Sequence, residues 1–214
     1  MERVVLIDFP KAVFFDWDGT LVNSLAFLTK AHNYAKTQMG LPLFAGDHEF
    51  QPYLGMPRDA LYADIYGARG EEAKVHFETY VHQYHTEGVK PLKGAAELLE
   101  LLYDIGIPCG VVSNKRSVFL LEEIKTFGWE RYFKAVVGAG DAPEDKPSAA
   151  PLLFALEKSG LGVDISDVWY IGDTEFDVAC AKSAGARAIV VRPPYEQDKD
   201  FNVFPHKPDL IKNS

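Results

Sequence analysis

Phe14-Phe15-Asp16-Trp17-Asp18-Gly19-Thr20-Leu21-Val22 is the stretch around which the chain is organised. Val13, Phe14 and Phe15 read as a buried strand that stops at two acids, followed by Gly-Thr. Side chains alternate along a strand, so Asp16 and Asp18 point the same way from its C-terminal end. In an open parallel sheet that end is where ligands sit. Gly19 lets the chain turn sharply as it leaves the strand. Two carboxylates this close repel each other and are expected to hold a cation or share a proton. An Asp-Gly turn closing an ordinary strand has the same local pattern. The rest of the chain decides between the two.

Bulk properties narrow the classes. A chain of 214 residues can bury one good core and a small second one. With 47% apolar and 25% charged residues the composition is that of an ordinary globular protein. No run approaches the roughly 20 apolar residues of a membrane span. Met1-Glu2-Arg3 carries an acid and precedes no long apolar region, so no signal peptide is expected. Cys109 and Cys180 sit in apolar company without ligand spacing and read as reduced core residues, which predicts a cytoplasmic protein. A net charge of −9 disfavours nucleic acid and acidic membranes as partners. A small phosphorylated substrate stays possible if lysine, backbone amides or a metal ion supply local positive charge.

The pattern along the chain predicts an insertion. Val4–Ile7 reads as an edge strand closed by Pro10. Three helical patterns follow the acids, over 23–39, 57–66 and 71–87, with no strand candidate between 23 and 88. Asn23 or Ser24 is positioned to cap the first of them. From Pro91 helices alternate with apolar runs at 107–112, 135–137, 168–171 and 188–191, and the tail from Phe201 has room for a short last strand. Such alternation implies right-handed crossovers and a parallel sheet covered on both faces. The expected architecture is α/β, a Rossmann-like three-layer core of 1–22 and 89–214 plus a small all-helical cap of 23–88.

The core runs end in polar groups: Ser113-Asn114 after 107–112, and Gly172-Asp173-Thr174 with Asp177 after 168–171. Lys146-Pro147 sits in a loop just before a helix start. Singly, each has an ordinary explanation as a helix cap or a solvated loop lysine. Jointly, a parallel sheet gathers them on the edge that carries Asp16 and Asp18.

This ordered set, Asp16-Trp-Asp18-Gly-Thr-Leu-Val, Ser113-Asn114, Lys146-Pro147 and Gly172-Asp173-Thr174-x-x-Asp177, resembles the haloacid dehalogenase superfamily over essentially the whole chain. The helical insert and Lys90-Pro91-Leu92-Lys93-Gly94 are similar to the phosphoglycolate phosphatase-like branch with its helical C1-type cap. The resemblance implies a phosphatase acting on small phosphate monoesters through an aspartyl-phosphate. It makes Asp16 the nucleophile and Asp18 the acid/base. Mg²⁺ would take Asp16, the Asp18 carbonyl and Asp173 as ligands. Lys146 would neutralise the attacked group, with Asp177 orienting it. Ser113 and Asn114, with Gly19 and Thr20, would hold phosphate. Gly55-Met56-Pro57-Arg58 is similar to the lid loop of sugar phosphomutases of the β-phosphoglucomutase type, where an arginine grips a distal phosphate. Arg58 would then hold a distal anion, although a solvated first-turn arginine fits the sequence equally well. Those mutases carry a histidine where this chain has Leu28, which favours the phosphatase. A non-catalytic binding protein on the same fold should have lost part of the motif set, and no part is missing. His76, His82 and His85 share one cap helix and read as a solvated face rather than a zinc site. Both a monomer and a homodimer fit the sequence.

Overall fold

The computed structural model describes residues 9–195 and 199–213; the apolar run Val4–Ile7 lies outside them. The centre is β1 (Ala12–Phe15), four residues with no exposed side chain. Ala12 and Phe14 pack into one hydrophobic core, Val13 and Phe15 into another. This alternation is why the strand is apolar throughout instead of every second residue: both of its faces are covered.

Six strands form one sheet in the order β5-β4-β1-β6-β7-β8, every neighbouring pair parallel. The other five are β4 (Cys109–Arg116), β5 (Phe133–Ala139), β6 (Val168–Gly172), β7 (Arg187–Arg192) and β8 (Leu210–Asn213). β8 is the short last strand expected in the tail. On one face lie α5 (Ala95–Asp104) and α6 (Ser117–Thr126), burying Leu99, Leu102, Leu120 and Ile124. On the other lie α7 (Ala150–Ser159) and α8 (Glu175–Ala184), burying Leu152, Ala155, Val178 and Ala181. The result is a three-layer α/β fold. Gly110 on β4 leaves the space that the Phe14 ring fills, since a Cβ there would sit 2.3 Å from it.

Between β1 and α5 the chain runs mainly through helices: α1 (Leu25–Gln38), α2 (Asp47–Phe50), α3 (Arg58–Tyr66) and α4 (Gly70–Gly88). No strand was expected within 23–88, and from residue 24 to 88 the regular elements are helices alone; a short pair lies at the borders of that segment. There β2 (Val22–Asn23) pairs antiparallel with β3 (Lys90–Pro91), joining the points where the chain leaves and re-enters the α/β layers. Two-residue strands carry too little periodicity to be seen in a sequence. Ser24 precedes α1, but its hydroxyl makes no capping bond. α1 packs along α4, and their Phe27, Ala31 and Val81 continue the core beneath α5 and α6. Deeper in the helical part, His32 is buried among Phe50, Phe77, Tyr62 and Tyr66. Burial, helped by the nearby Lys36 charge, pushes it down to about 3.

Both cysteines are free and buried, and burial pushes each thiol up to about 12, so neither is a thiolate near neutrality. Among the described residues no helix is long and apolar enough to cross a membrane.

Candidate active site

The C-terminal ends of β1, β4 and β6 lie side by side. Asp16 and Asp173 follow β1 and β6 directly, Ser113 and Asn114 lie in the last half of β4, and Lys146 lies in the loop between β5 and α7. The Asp16 N–H donates to the Ile171 carbonyl at 2.8 Å, which keeps it in register with β6. Gly19 turns the chain with φ +86°, and a Cβ there would lie 2.1 Å from Asp173 Oδ2. Both the left-handed conformation and the close approach require glycine. The Thr20 hydroxyl donates to Asp173 Oδ1 at 3.0 Å. Gly19 and Thr20, expected among the phosphate-holding groups, thus pack against the Asp173 carboxylate.

β4 runs on past its expected end at Val112. Its pairing with β5 jumps from Val112↔Val137 to Arg116↔Ala139, so two extra residues are accommodated on β4. A bulge of this kind re-aims side chains. Here it turns Ser113, Asn114 and Lys115 into the cavity that also contains Asp16 and Asp18. The Asn114 side chain is committed: Oδ1 accepts from the Lys146 N–H at 3.0 Å, and Nδ2 donates to the Lys146 carbonyl at 3.0 Å and the Gly55 carbonyl at 3.2 Å. It fixes the lysine loop to β4 and one loop of the helical segment above.

Lys146 is fully buried, with Nζ 2.7 Å from Asp16 Oδ1 and 2.6 Å from Asp177 Oδ1. Burial alone would drive its proton off, but the two carboxylates outweigh this and hold the ammonium well above the usual lysine range. Asp177 is pulled down despite burial, by Lys146 and by hydrogen bonds from Thr174. Its Oδ2 accepts from the Thr174 hydroxyl at 2.6 Å and the Thr174 N–H at 2.9 Å, closing a capping box at the start of α8. Asp16 moves the other way. Burial lifts it to about 7 against the pull of Lys146, with Asp177 and Asp18 adding to the rise.

Asp16, Asp173 and Asp177 are all buried, and their carboxylates offer oxygens within 4.8 Å of one another. Such an all-oxygen, anionic donor set suits a hard divalent cation. Asp177 has both oxygens engaged, by Lys146 and by the start of α8, so Asp16 and Asp173 are the carboxylates placed to hold an ion.

Above these groups opens a cavity of about 130 Å³ whose far wall is built from α1, α3 and α4. Most of that wall is aromatic or aliphatic, Leu28 included. Its charge is concentrated in one cluster: the Glu78 carboxylate pairs with Arg58 of α3 through Oε1 and with Arg116 of β4 through Oε2, the latter at 2.7 Å. Burial would raise Glu78, and the two guanidiniums more than cancel it, holding the carboxylate below its usual range. Arg58 therefore lines the cavity instead of pointing into solvent.

Sequence reasoning missed Lys115, Arg116, Glu78 and Glu123, the last buried on α6 against the Lys115 ammonium. The first two follow directly on Ser113-Asn114, a signal that was there to use. The glutamates lie on helices and look like any solvated acid. The histidine reading needs one correction: His85 is 3% exposed, with Nε2 2.8 Å from Glu122, so it does not lie on a solvated face.

A family model for haloacid dehalogenase-like hydrolases matches residues 13–191. The chain belongs to the haloacid dehalogenase-like hydrolases. Within that family it is a phosphatase, a phosphoric monoester hydrolase. It is 31% identical to a phosphoglycolate phosphatase of Neisseria meningitidis, over 86% of this chain and 81% of that one. A Caldanaerobacter subterraneus protein named for pyrophosphatase activity is 30% identical, over 85% of this chain and 81% of its own length. Among solved structures, a predicted phosphoglycolate phosphatase from Haemophilus somnus superposes with a TM-score of 0.83 at 26% identity, covering 96% and 94% of the two chains.

Proposed function

We propose that this haloacid dehalogenase-like phosphatase hydrolyses compact phosphate monoesters bearing a second anionic group, phosphoglycolate-like esters first among them, by way of an aspartyl-phosphate on Asp16. The observation that carries the reading is the buried Asp16–Lys146–Asp177 arrangement facing a cavity that also contains Asp18 and Ser113. Asp16 attacks phosphorus, and Asp18 gives a proton to the leaving oxygen, then takes one from the water that cleaves the acyl phosphate. Lys146 sets positive charge beside the attacked group, and Asp177 holds Lys146 in place. Ser113 and the backbone N–H of Asn114 take phosphoryl oxygens. Residues 23–88 act as a cap over the core formed by 1–22 and 89–214, excluding water and long polymers. Leu28 on the cavity wall has no proton to exchange, which disfavours a mutase.

Mg²⁺ fits the carboxylate set, with Asp16, Asp173 and the Asp18 carbonyl as its protein ligands. When bound, such an ion would neutralise charge on the phosphoryl oxygens. The reading is tested by phosphate release from a panel of monoesters and pyrophosphate, with Mg²⁺ and with EDTA. Activity on phosphoglycolate-like esters that EDTA abolishes is expected; activity indifferent to EDTA would refute the metal requirement.

The Asp16 shift sets a pH dependence. A carboxyl group raised from 3.8 to about 7 in the fold contributes stability below pH 4 that is lost as pH rises through 7. A cation on Asp16 must displace that proton, so the rise in Tm on adding Mg²⁺ should grow from pH 5 to pH 8. A thermal-shift series at three pH values checks this. A shift that shrinks with pH would take Asp16 out of the ion site.

Arg58 supplies the distal specificity on this reading. Losing one charge-assisted hydrogen bond costs about 1.5–3 kcal/mol, which is roughly 10- to 150-fold in kcat/KM. Arg58→Ala should therefore lower kcat/KM by that factor for phosphoglycolate and leave p-nitrophenyl phosphate nearly unchanged. Steady-state kinetics on both esters decide it, and equal losses would remove Arg58 from the distal site.

A further inference from the structure

Behind Asp18 lies a buried chain of charged groups that the chemistry just described does not use. Glu123 on α6 is completely buried, and its Oε2 accepts from the Trp17 indole N–H at 2.6 Å and from the Lys115 ammonium at 2.8 Å. The same ammonium reaches Asp18 Oδ1 at 2.9 Å. On the far side His85 of α4 places Nδ1 3.5 Å from Glu123 Oε1. The chain thus runs from a cap helix through α6 and the β4 bulge to the second acid of the opening motif.

Stability is a poor reason for such an arrangement. Buried ion pairs roughly break even against apolar side chains of similar volume. Lys115 is also a costly residue to hold still, with four rotatable bonds to freeze. Both contacts are made by its ammonium group, which sits between Glu123 behind and Asp18 at the cavity. Trp17, between the two acids in sequence, bonds the same Glu123 oxygen, so the motif loop and the Asp18 side chain share one anchor.

We infer that Lys115 is a positioning residue for Asp18: pinned from behind by Glu123, it holds the Asp18 carboxyl group aimed at the leaving oxygen. The inference rests on the reading of Asp18 as the acid/base. In the first step the Asp16–phosphorus bond forms, the bond from phosphorus to the leaving oxygen breaks, and the Asp18 proton passes to that oxygen. Lys115 exchanges no proton, and its contribution is the orientation of the carboxyl group. An alkoxide leaves badly without that proton, whereas nitrophenolate leaves without one.

The test compares single-turnover rates of the full-length protein with Mg²⁺ on two esters lacking a second charge, propyl phosphate and p-nitrophenyl phosphate. In Lys115→Met the ratio of the alkyl to the aryl rate should fall by about 10- to 100-fold. Methylammonium should restore part of the alkyl rate in Lys115→Ala, because Lys115 borders the open cavity. Equal loss on both esters, or no rescue, would make Lys115 a structural residue and overturn the inference. Glu123→Gln keeps an acceptor for Trp17 and loosens the anchor of Lys115 together with the contact to His85. Its ratio should fall about 3- to 10-fold, which decides the matter if the lysine variants do not fold, and an unchanged ratio there also overturns it. Asp18→Asn serves as the control. If its ratio does not fall, the acid/base reading of Asp18 fails and takes the inference with it, whereas a fall in Asp18→Asn without one in the Lys115 and Glu123 variants refutes the inference alone.

Discussion

Asp16→Asn is expected to lower kcat by at least about 10⁴-fold, the scale of loss when a nucleophile is deleted from a covalent mechanism. The amide is isosteric with the carboxyl group, so the surrounding β1 end and the Lys146–Asp177 pair keep their places. The fold should not suffer. A carboxyl group that the fold lifts to about 7 destabilises the metal-free protein once it ionises, and the amide removes that charge. At pH 8 without metal the variant should therefore melt no lower than the parent, while its activity is gone. Melting curves and phosphate release on the same preparation separate the two effects. Turnover within a factor of ten of the parent would exclude the aspartyl-phosphate on Asp16.

Asp18→Asn carries the second-largest expectation, a fall of about 10²–10⁴-fold in kcat on alkyl esters. The substitution keeps the backbone carbonyl that serves as the proposed ion ligand, so Mg²⁺ should still raise Tm as it does in the parent. Turnover on p-nitrophenyl phosphate should begin with a burst of nitrophenolate, because release of that group needs no acid. The following steps should be slow, because hydrolysis of the acyl phosphate still needs the base. Calorimetric titration with Mg²⁺ supplies the contrary outcome: a collapse of metal affinity would make the Asp18 side chain a ligand and displace it from acid/base work.

The parts legible in the sequence share a physical property. The apolar run before Asp16, the helix–strand alternation after Pro91 and the last strand in the tail are local periodicities, and the sheet is their direct consequence. Asp16, Ser113, Lys146 and Asp173 were readable because each stands where an apolar run stops or a helix is about to start, and a parallel sheet sends all such places to one edge. The β2–β3 pair was not, because two residues carry no period. The extension of β4 to Arg116 was also hidden. A bulge is a mismatch between two strands, visible only when both are in place.

The sequence by itself therefore determined the layered α/β fold, the helical segment after β1 and the acids, hydroxyl and lysine gathered at the sheet edge. Tertiary structure alone decided which charges meet. Lys115 and Asp18 are 97 positions apart, Trp17 and Glu123 are 106, and nothing near either member announces its partner. Arg58 fitted solvent and cavity equally well until Glu78 was seen to join it to Arg116 across the cavity. His85 looked like part of a wet helix face until α6 was found against it. An ionisable side chain on a helix has the same local signature whether it faces water or a buried counter-charge, because the interaction that distinguishes the two depends on distance in space and not along the chain.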